Sequence, residues 1–141
     1  MARTMSLDVG DRRIGVALSD PTGLFAAPLT TLTVRSRSAD AQAVADLVAL
    51  HEATAVVVGL PLSLDGTVGP QARSVQRFCQ TLRRVVGVPV TTWDERFTTA
   101  EAERRLREAG IQPSRDRARV DALAAAIILQ DRLDTLRAAA Q

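Results

Sequence analysis

The chain has 141 residues, 46% of them apolar, which fills one core of ordinary size and leaves no room for a second domain. Its single cysteine, Cys79, and single histidine, His51, exclude an intrachain disulfide, a cysteine-rich zinc cage and chemistry built on paired histidines. All 18 basic residues are arginine at a net charge of +2, so lysine Schiff-base chemistry and a lysine-bearing phosphate loop are excluded. The planar guanidinium fork matches phosphate oxygens and makes nucleic acid a natural partner, although a compositional preference for arginine explains the same usage.

Thr4 to Asp20 reads as a β-hairpin. Met5, Leu7 and Val9 alternate with Ser6 and Asp8, and Ile14, Val16 and Leu18 resume the alternation after a turn carrying Gly10 and Asp11. Asp8 ends the first strand, where a carboxylate must face solvent or find partners; an Asx-type turn is the ordinary alternative. Leu24 to Val34 supplies a third strand, in which Pro28 suits only an edge position or an interruption. Ser38 caps a helix over Ala39 to His51, with His51 a helix-end residue. Ala55 to Gly59 is a continuous β-branched run, the mark of a parallel strand buried on both faces.

Gly59 to Pro70 is a loop leaving the carboxyl end of that strand, where open α/β sheets bind ligands, and Pro70 opens the next helix. That helix carries Val75, Phe78, Cys79, Leu82 and Val86 on one stripe and stops at Gly87, so Cys79 fills core. Val88 to Trp93 is a short strand, and Asp94-Glu95-Arg96 falls at its end. Thr98 to Glu101 matches a capping box opening a helix that stops at Gly110, with Arg104, Arg105 and Arg107 on a solvated face. Ile111 to Arg119 reads as a mobile basic loop, in which Arg115, Arg117 and Arg119 are candidate phosphate contacts. The last helix, apolar nearly all round from Val120 to Leu129, has Asp121 at its start, where the helix dipole alone would favour a negative charge. The longest apolar run, residues 122–129, is far too short to span a membrane, and Asp8 interrupts the N-terminus before any signal-type stretch, so a cytoplasmic protein is expected.

The order β, β, β, α, β, α, β, α, α can be folded so that Asp8, Glu95 and Asp121 converge. Three carboxylates without histidine or cysteine make an all-oxygen site suited to Mg²⁺ or Mn²⁺, and two such ions serve phosphodiester hydrolysis. Without metal they would repel one another, and Asp121 is expected to share that strain.

Four blocks in order carry a resemblance across almost the whole chain: Leu7-Asp8-Val9-Gly10 with Arg13-Ile14-Gly15-Val16-Ala17 and Ser19-Asp20; Gly59-Leu60-Pro61-Leu62 with Asp65-Gly66-Thr67; Asp94-Glu95-Arg96-Phe97-Thr98-Thr99; and Asp121-Ala122-Leu123-Ala124-Ala125 with Ile128-Leu129-Gln130. Together they resemble the YqgF or RuvX family of ribonuclease H-like nucleases. The resemblance implies an α/β three-layer fold, with a mixed five-stranded sheet and helices on both faces. It makes Asp8, Glu95 and Asp121 the catalytic, metal-holding set. It implies a metal-dependent nuclease acting on structured RNA or on branched or single-stranded DNA, either in 5′-end processing of pre-16S rRNA or in Holliday junction resolution. Arg12, Arg13, Gly66, Thr67, Arg96, Arg115, Arg117 and Arg119 are then the expected nucleic-acid contacts. Arg12, Arg115, Arg117 and Arg119 stand where the family commonly has lysines, so phosphate binding survives but lysine proton donation does not. Aromatics are only 3%, which favours backbone and shape over base stacking.

Two other readings stay open. One is a non-catalytic nucleic-acid-binding module of the same fold. The other is an actin-like nucleotide phosphohydrolase, which would need a second lobe. The oligomeric state is open too, a homodimer being the simplest assembly for cutting a two-fold symmetric junction.

Overall fold

The structure, a computed structural model, describes residues 2–95 and 98–140. Its centre is β1 (Thr4–Val9), the middle strand of a five-stranded sheet ordered β3-β2-β1-β4-β5. β1 pairs antiparallel with β2 (Arg13–Ser19) and parallel with β4 (Ala55–Pro61), which pairs parallel with β5 (Val90–Glu95). β3 (Ala26–Thr33) lies antiparallel on β2 at the edge, as Pro28 requires, and its register shifts where Val16 pairs with Thr30 and Ala17 with Pro28.

The alternation of β1 divides the chemistry between two faces. Met5 and Leu7 are fully buried in a core with Ile14, Val16, Val56 and Val58, covered by α1 (Arg37–Leu50) and α2 (Pro70–Val85) through Val44, Val75, Phe78 and Leu82. Cys79 fills this core as expected, and burial pushes its thiol pKa up. Ser6 and Asp8 turn to the opposite face, which is crossed by α4 (Arg117–Ala139) with α3 (Thr98–Glu108) packed on it.

Small residues let α4 lie almost on the sheet. A Cβ on Gly15 would come within 1.9 Å of the Asp121 carbonyl oxygen, and one on Gly59 within 2.6 Å of Ile128 Cδ1. The buried Ser6 hydroxyl donates to the Ala125 carbonyl at 2.7 Å, and Thr31 Oγ1 donates to the Ala118 carbonyl at 2.6 Å.

Several boundaries differ from expectation. α1 is capped by Ser36, not Ser38: the Ser36 hydroxyl accepts the Ala39 N–H at 3.1 Å. β4 runs on to Pro61, because Leu60 and Pro61 continue the pairing with Asp94 and Glu95. The stretch read as a mobile loop before α4 is largely ordered: Pro113–Arg115 is a 3₁₀ turn with Pro113 buried, and α4 begins at Arg117. Asp116 caps it by accepting the Arg119 N–H at 3.1 Å, so Arg117 and Arg119 are helical and Asp121 is the helix's fifth residue. The capping box at α3 does not form. The Thr98 N–H donates to Glu95 at 2.8 Å, while Glu101 pairs with Arg104 and Arg105 instead. Among the described residues no helix is long and apolar enough to cross a membrane.

Candidate active site

Asp8 stands near the carboxyl end of β1, opposite Gly15 in the β1–β2 register. It is not the turn residue: the hairpin closes one step further on, where the Gly10 N–H donates to the Arg13 carbonyl at 2.9 Å. The Asp8 carboxylate takes no hydrogen bond among the described residues. Burial first, then the charges of Glu95 and Asp121, push its pKa from an ordinary 3.8 up to about 7. Glu95 and Asp121 are thus within electrostatic reach of Asp8.

The other two have local partners. Glu95, the last residue of β5, accepts the Thr98 N–H and so covers the start of α3. Asp121 accepts from Arg13 Nε through Oδ2 at 2.5 Å. Arg13 reaches it because Ile14 and Val16 face α1 and α2, which turns Arg13 and Gly15 to the α4 side. Asp121 thus has a counter-charge in Arg13, whereas Asp8 has no partner among the described residues.

Among the described residues, no group of three or more His, Cys, Asp or Glu side chains is gathered closely enough to hold a metal ion. The expected convergence is thus one of neighbourhood, with Glu95 and Asp121 each held by an N–H donor. The donor set still fits a hard divalent cation: it is all oxygen, and Asp8 is a half-buried carboxylate with no hydrogen bond among the described residues, whose charge such an ion would relieve.

A cleft of about 500 Å³ opens beside Asp8 and Glu95, walled by Gly59, Ser63 and the start of α2 at Gly69 and Pro70. Gly69 caps α2 with no side-chain bond, so first-turn amides remain available to an anion. Gly66 and Thr67 do not line the cleft; they build the turn at its edge. The Gly66 N–H donates to the Ser63 carbonyl at 2.8 Å, Gly66 has φ +86°, and Thr67 Oγ1 donates to Asp65 at 2.7 Å.

The expected basic contacts separate into two groups. Arg12 and Arg115 are exposed with no side-chain partner among the described residues. Arg13, Arg117 and Arg119 pair with Asp121, Glu103 (3.4 Å) and Asp116 (3.3 Å). Arg96 lies outside the described residues. Sequence reasoning did not single out Arg35 or Arg37, which are exposed where the chain passes from β3 into α1, beside the hairpin to which the Val34 N–H is tied by donating to the Arg12 carbonyl at 2.9 Å. It also missed Gly15 and Gly59 as contact points for α4. A glycine inside a strand is the available signal for such an approach.

The sequence model of the RuvX family, described as Holliday junction resolvase, matches residues 2–135. A Roseiflexus sp. (strain RS-1) protein named "Putative pre-16S rRNA nuclease" is 50% identical over 135 residues, covering 96% of each chain. One of the same name from Thermoanaerobacter pseudethanolicus is 42% identical over 134 residues, covering 94% of this chain and 96% of that one. Among solved structures, Thermus thermophilus RuvC in complex with a Holliday junction substrate superimposes with a TM-score of 0.60 at 17% identity, over 97% of this chain and 96% of that one. The fowlpox virus resolvase with its junction DNA gives 0.57 at 9% identity, over 95% and 98%. These two establish the fold, a ribonuclease H-like α/β sheet. The chain belongs to the RuvX family and is a nuclease, a hydrolase of nucleic acid.

Proposed function

We propose that the chain is a Mg²⁺- or Mn²⁺-dependent nuclease that processes the 5′ end of pre-16S rRNA in the cytoplasm, with Asp8, Glu95 and Asp121 as its catalytic, metal-holding carboxylates. The observation that carries the reading is Asp8: a half-buried carboxylate without a hydrogen bond among the described residues, its pKa raised by desolvation and by the charges of Glu95 and Asp121, beside a cleft bordered by an uncapped helix N-terminus. The substrate is that named for relatives at 42–50% identity. Bound divalent ions would supply an activated water and charge relief for the leaving oxygen. Asp8 and Glu95, which line the cleft together, would hold the cation, and Asp121 would complete the set. Arg12, Arg115 and the first-turn amides of α2 receive phosphates and hold the strand against the carboxylates, while Gly66 and Thr67 fix the turn at the cleft's edge.

A second reading, resolution of branched DNA by a homodimer, is favoured by the family's own description. Cleavage of a precursor rRNA fragment, a four-way DNA junction and single-stranded DNA, each with Mg²⁺ and with Mn²⁺, decides between them. The expected result is metal-dependent cutting of the rRNA fragment, lost in Asp8→Asn. Junction cutting alone moves the substrate to DNA. Cutting that survives both EDTA and Asp8→Asn overturns the site.

A further inference from the structure

The shortest polar contact within the acidic set is made by a cation. Arg13 Nε donates to Asp121 Oδ2 at 2.5 Å, with the Arg13 side chain 32% exposed and that of Asp121 16%. The pair is fixed from both sides. β2 turns Arg13 and Gly15 to the α4 face, and Gly15, with no side chain, lets the Asp121 backbone settle directly over the strand. Gly15 is also the register partner of Asp8, so this guanidinium sits two residues along β2 from the carboxylate whose charge is least compensated.

We propose that Arg13 is a resident stand-in for the metal: it holds Asp121 in the metal-free protein and releases it when a divalent cation binds, so that loading exchanges one cation for another. The proposal rests on the reading of Asp8, Glu95 and Asp121 as the metal's ligands. It accounts for Asp121 being held by a guanidinium while the three carboxylates are not gathered around one point among the described residues. Without Arg13, Asp121 loses the counter-charge it has among the described residues, so the metal-free fold weakens. The ion no longer competes with a guanidinium for Asp121, so it binds more tightly. An arginine that instead buttressed Asp121 as a bound ligand would act with the opposite sign: its loss would weaken metal binding.

Mn²⁺ titration followed by the electron paramagnetic resonance of the free ion, with thermal melts in EDTA, tests the exchange on the full chain. The variants are Arg13→Gln, Arg13→Lys, Asp121→Asn and the Arg13→Gln/Asp121→Asn double. Arg13→Gln is expected to melt lower in EDTA and to bind Mn²⁺ about five-fold or more tightly, the lower bound of ordinary coupling between sites. Arg13→Lys, which keeps the charge without the fork, falls between it and the parent. In the Asp121→Asn background the gain disappears. Unchanged or weaker Mn²⁺ binding by Arg13→Gln, with Asp121→Asn binding weakly, overturns the stand-in role alone. Unchanged Mn²⁺ affinity in Asp121→Asn removes Asp121 from the ligand set, and the exchange goes with it.

Discussion

The two faces of the sheet are built from different materials. On the α1–α2 face, Met5, Leu7, Ile14, Val16, Val44, Phe78 and Leu82 interlock as large side chains. On the α4 face the contacts are made by Ser6, Gly15, Ala17, Gly59, Ala125 and Ala126, and at two points the helix would collide with a single added carbon. A core of large side chains can repack after a change, at a cost in stability. A backbone resting on a glycine has nothing to repack, so it sets a distance. In this molecule the distance so set runs from Asp121 on α4 to Asp8 on β1. The first face chiefly stabilises, and the second chiefly positions.

Removing a large side chain from the first face should produce the greatest loss of stability and leave the chemistry alone. Leu7→Ala is expected to lose about 2–5 kcal/mol of unfolding free energy. Urea unfolding measures this, and the cleavage rate per folded molecule should stay at the parental value. A matching fall in that rate would mean that both faces position the site.

Charge on the second face comes next. The folded pKa of Asp8 is raised to about 7 from 3.8, so between those values the folded metal-free chain holds more protons than the unfolded one, and stability falls as pH rises. Below about pH 4 the carboxyl is protonated in both states and the effect vanishes; above about pH 7 it is fully expressed. Asp8→Asn should therefore be more stable than the parent in EDTA at pH 8, by at most about 4 kcal/mol at 1.36 kcal/mol per pKa unit, and closely similar near pH 4. Unfolding curves at the two pH values would show it, and a difference independent of pH would refute the account of Asp8 as a desolvated, like-charge-crowded carboxylate.

Gly15→Ala sharpens the comparison most directly. The added carbon meets Asp121 backbone, so α4 must shift, with about 1–3 kcal/mol lost to overpacking. Because the shift moves Asp121, cleavage should fall by about 100-fold, out of proportion to stability. Activity assays on the folded variant, compared with Leu7→Ala, read this ratio. The smallest effect belongs to Ser6→Ala, which deletes one hydrogen bond to the Ala125 carbonyl and should cost about 1 kcal/mol, measurable by thermal melting, with a modest loss of cleavage.

Much of the architecture was legible because it depends on local periodicity. The alternation of Met5, Leu7 and Val9, the β-branched run at Ala55–Val58 and the stripe on α2 each announce an element. Boundaries were less legible where two caps compete. Ser36 and Ser38 are chemically equal candidates, and the fold chose Ser36, while the arginine-rich run before Asp121 hid a cap at Asp116 and hence three further helical residues. The three carboxylates stand out in the sequence by residue type, at strand ends and in an apolar helix.

What the sequence by itself determined is the inventory: oxygen ligands only, arginine as the only basic side chain, and the strands and helices that carry them. What only the tertiary structure decided is which carboxylate has a partner. Asp121 gained Arg13 from 108 residues away, and Glu95 gained the N–H of Thr98, so of the three only Asp8, half-buried, was left without a hydrogen bond among the described residues. The physical reason is that a hydrogen bond needs atoms within about 3 Å in the right direction. No spacing along the chain encodes that between a strand and a helix brought together across a glycine.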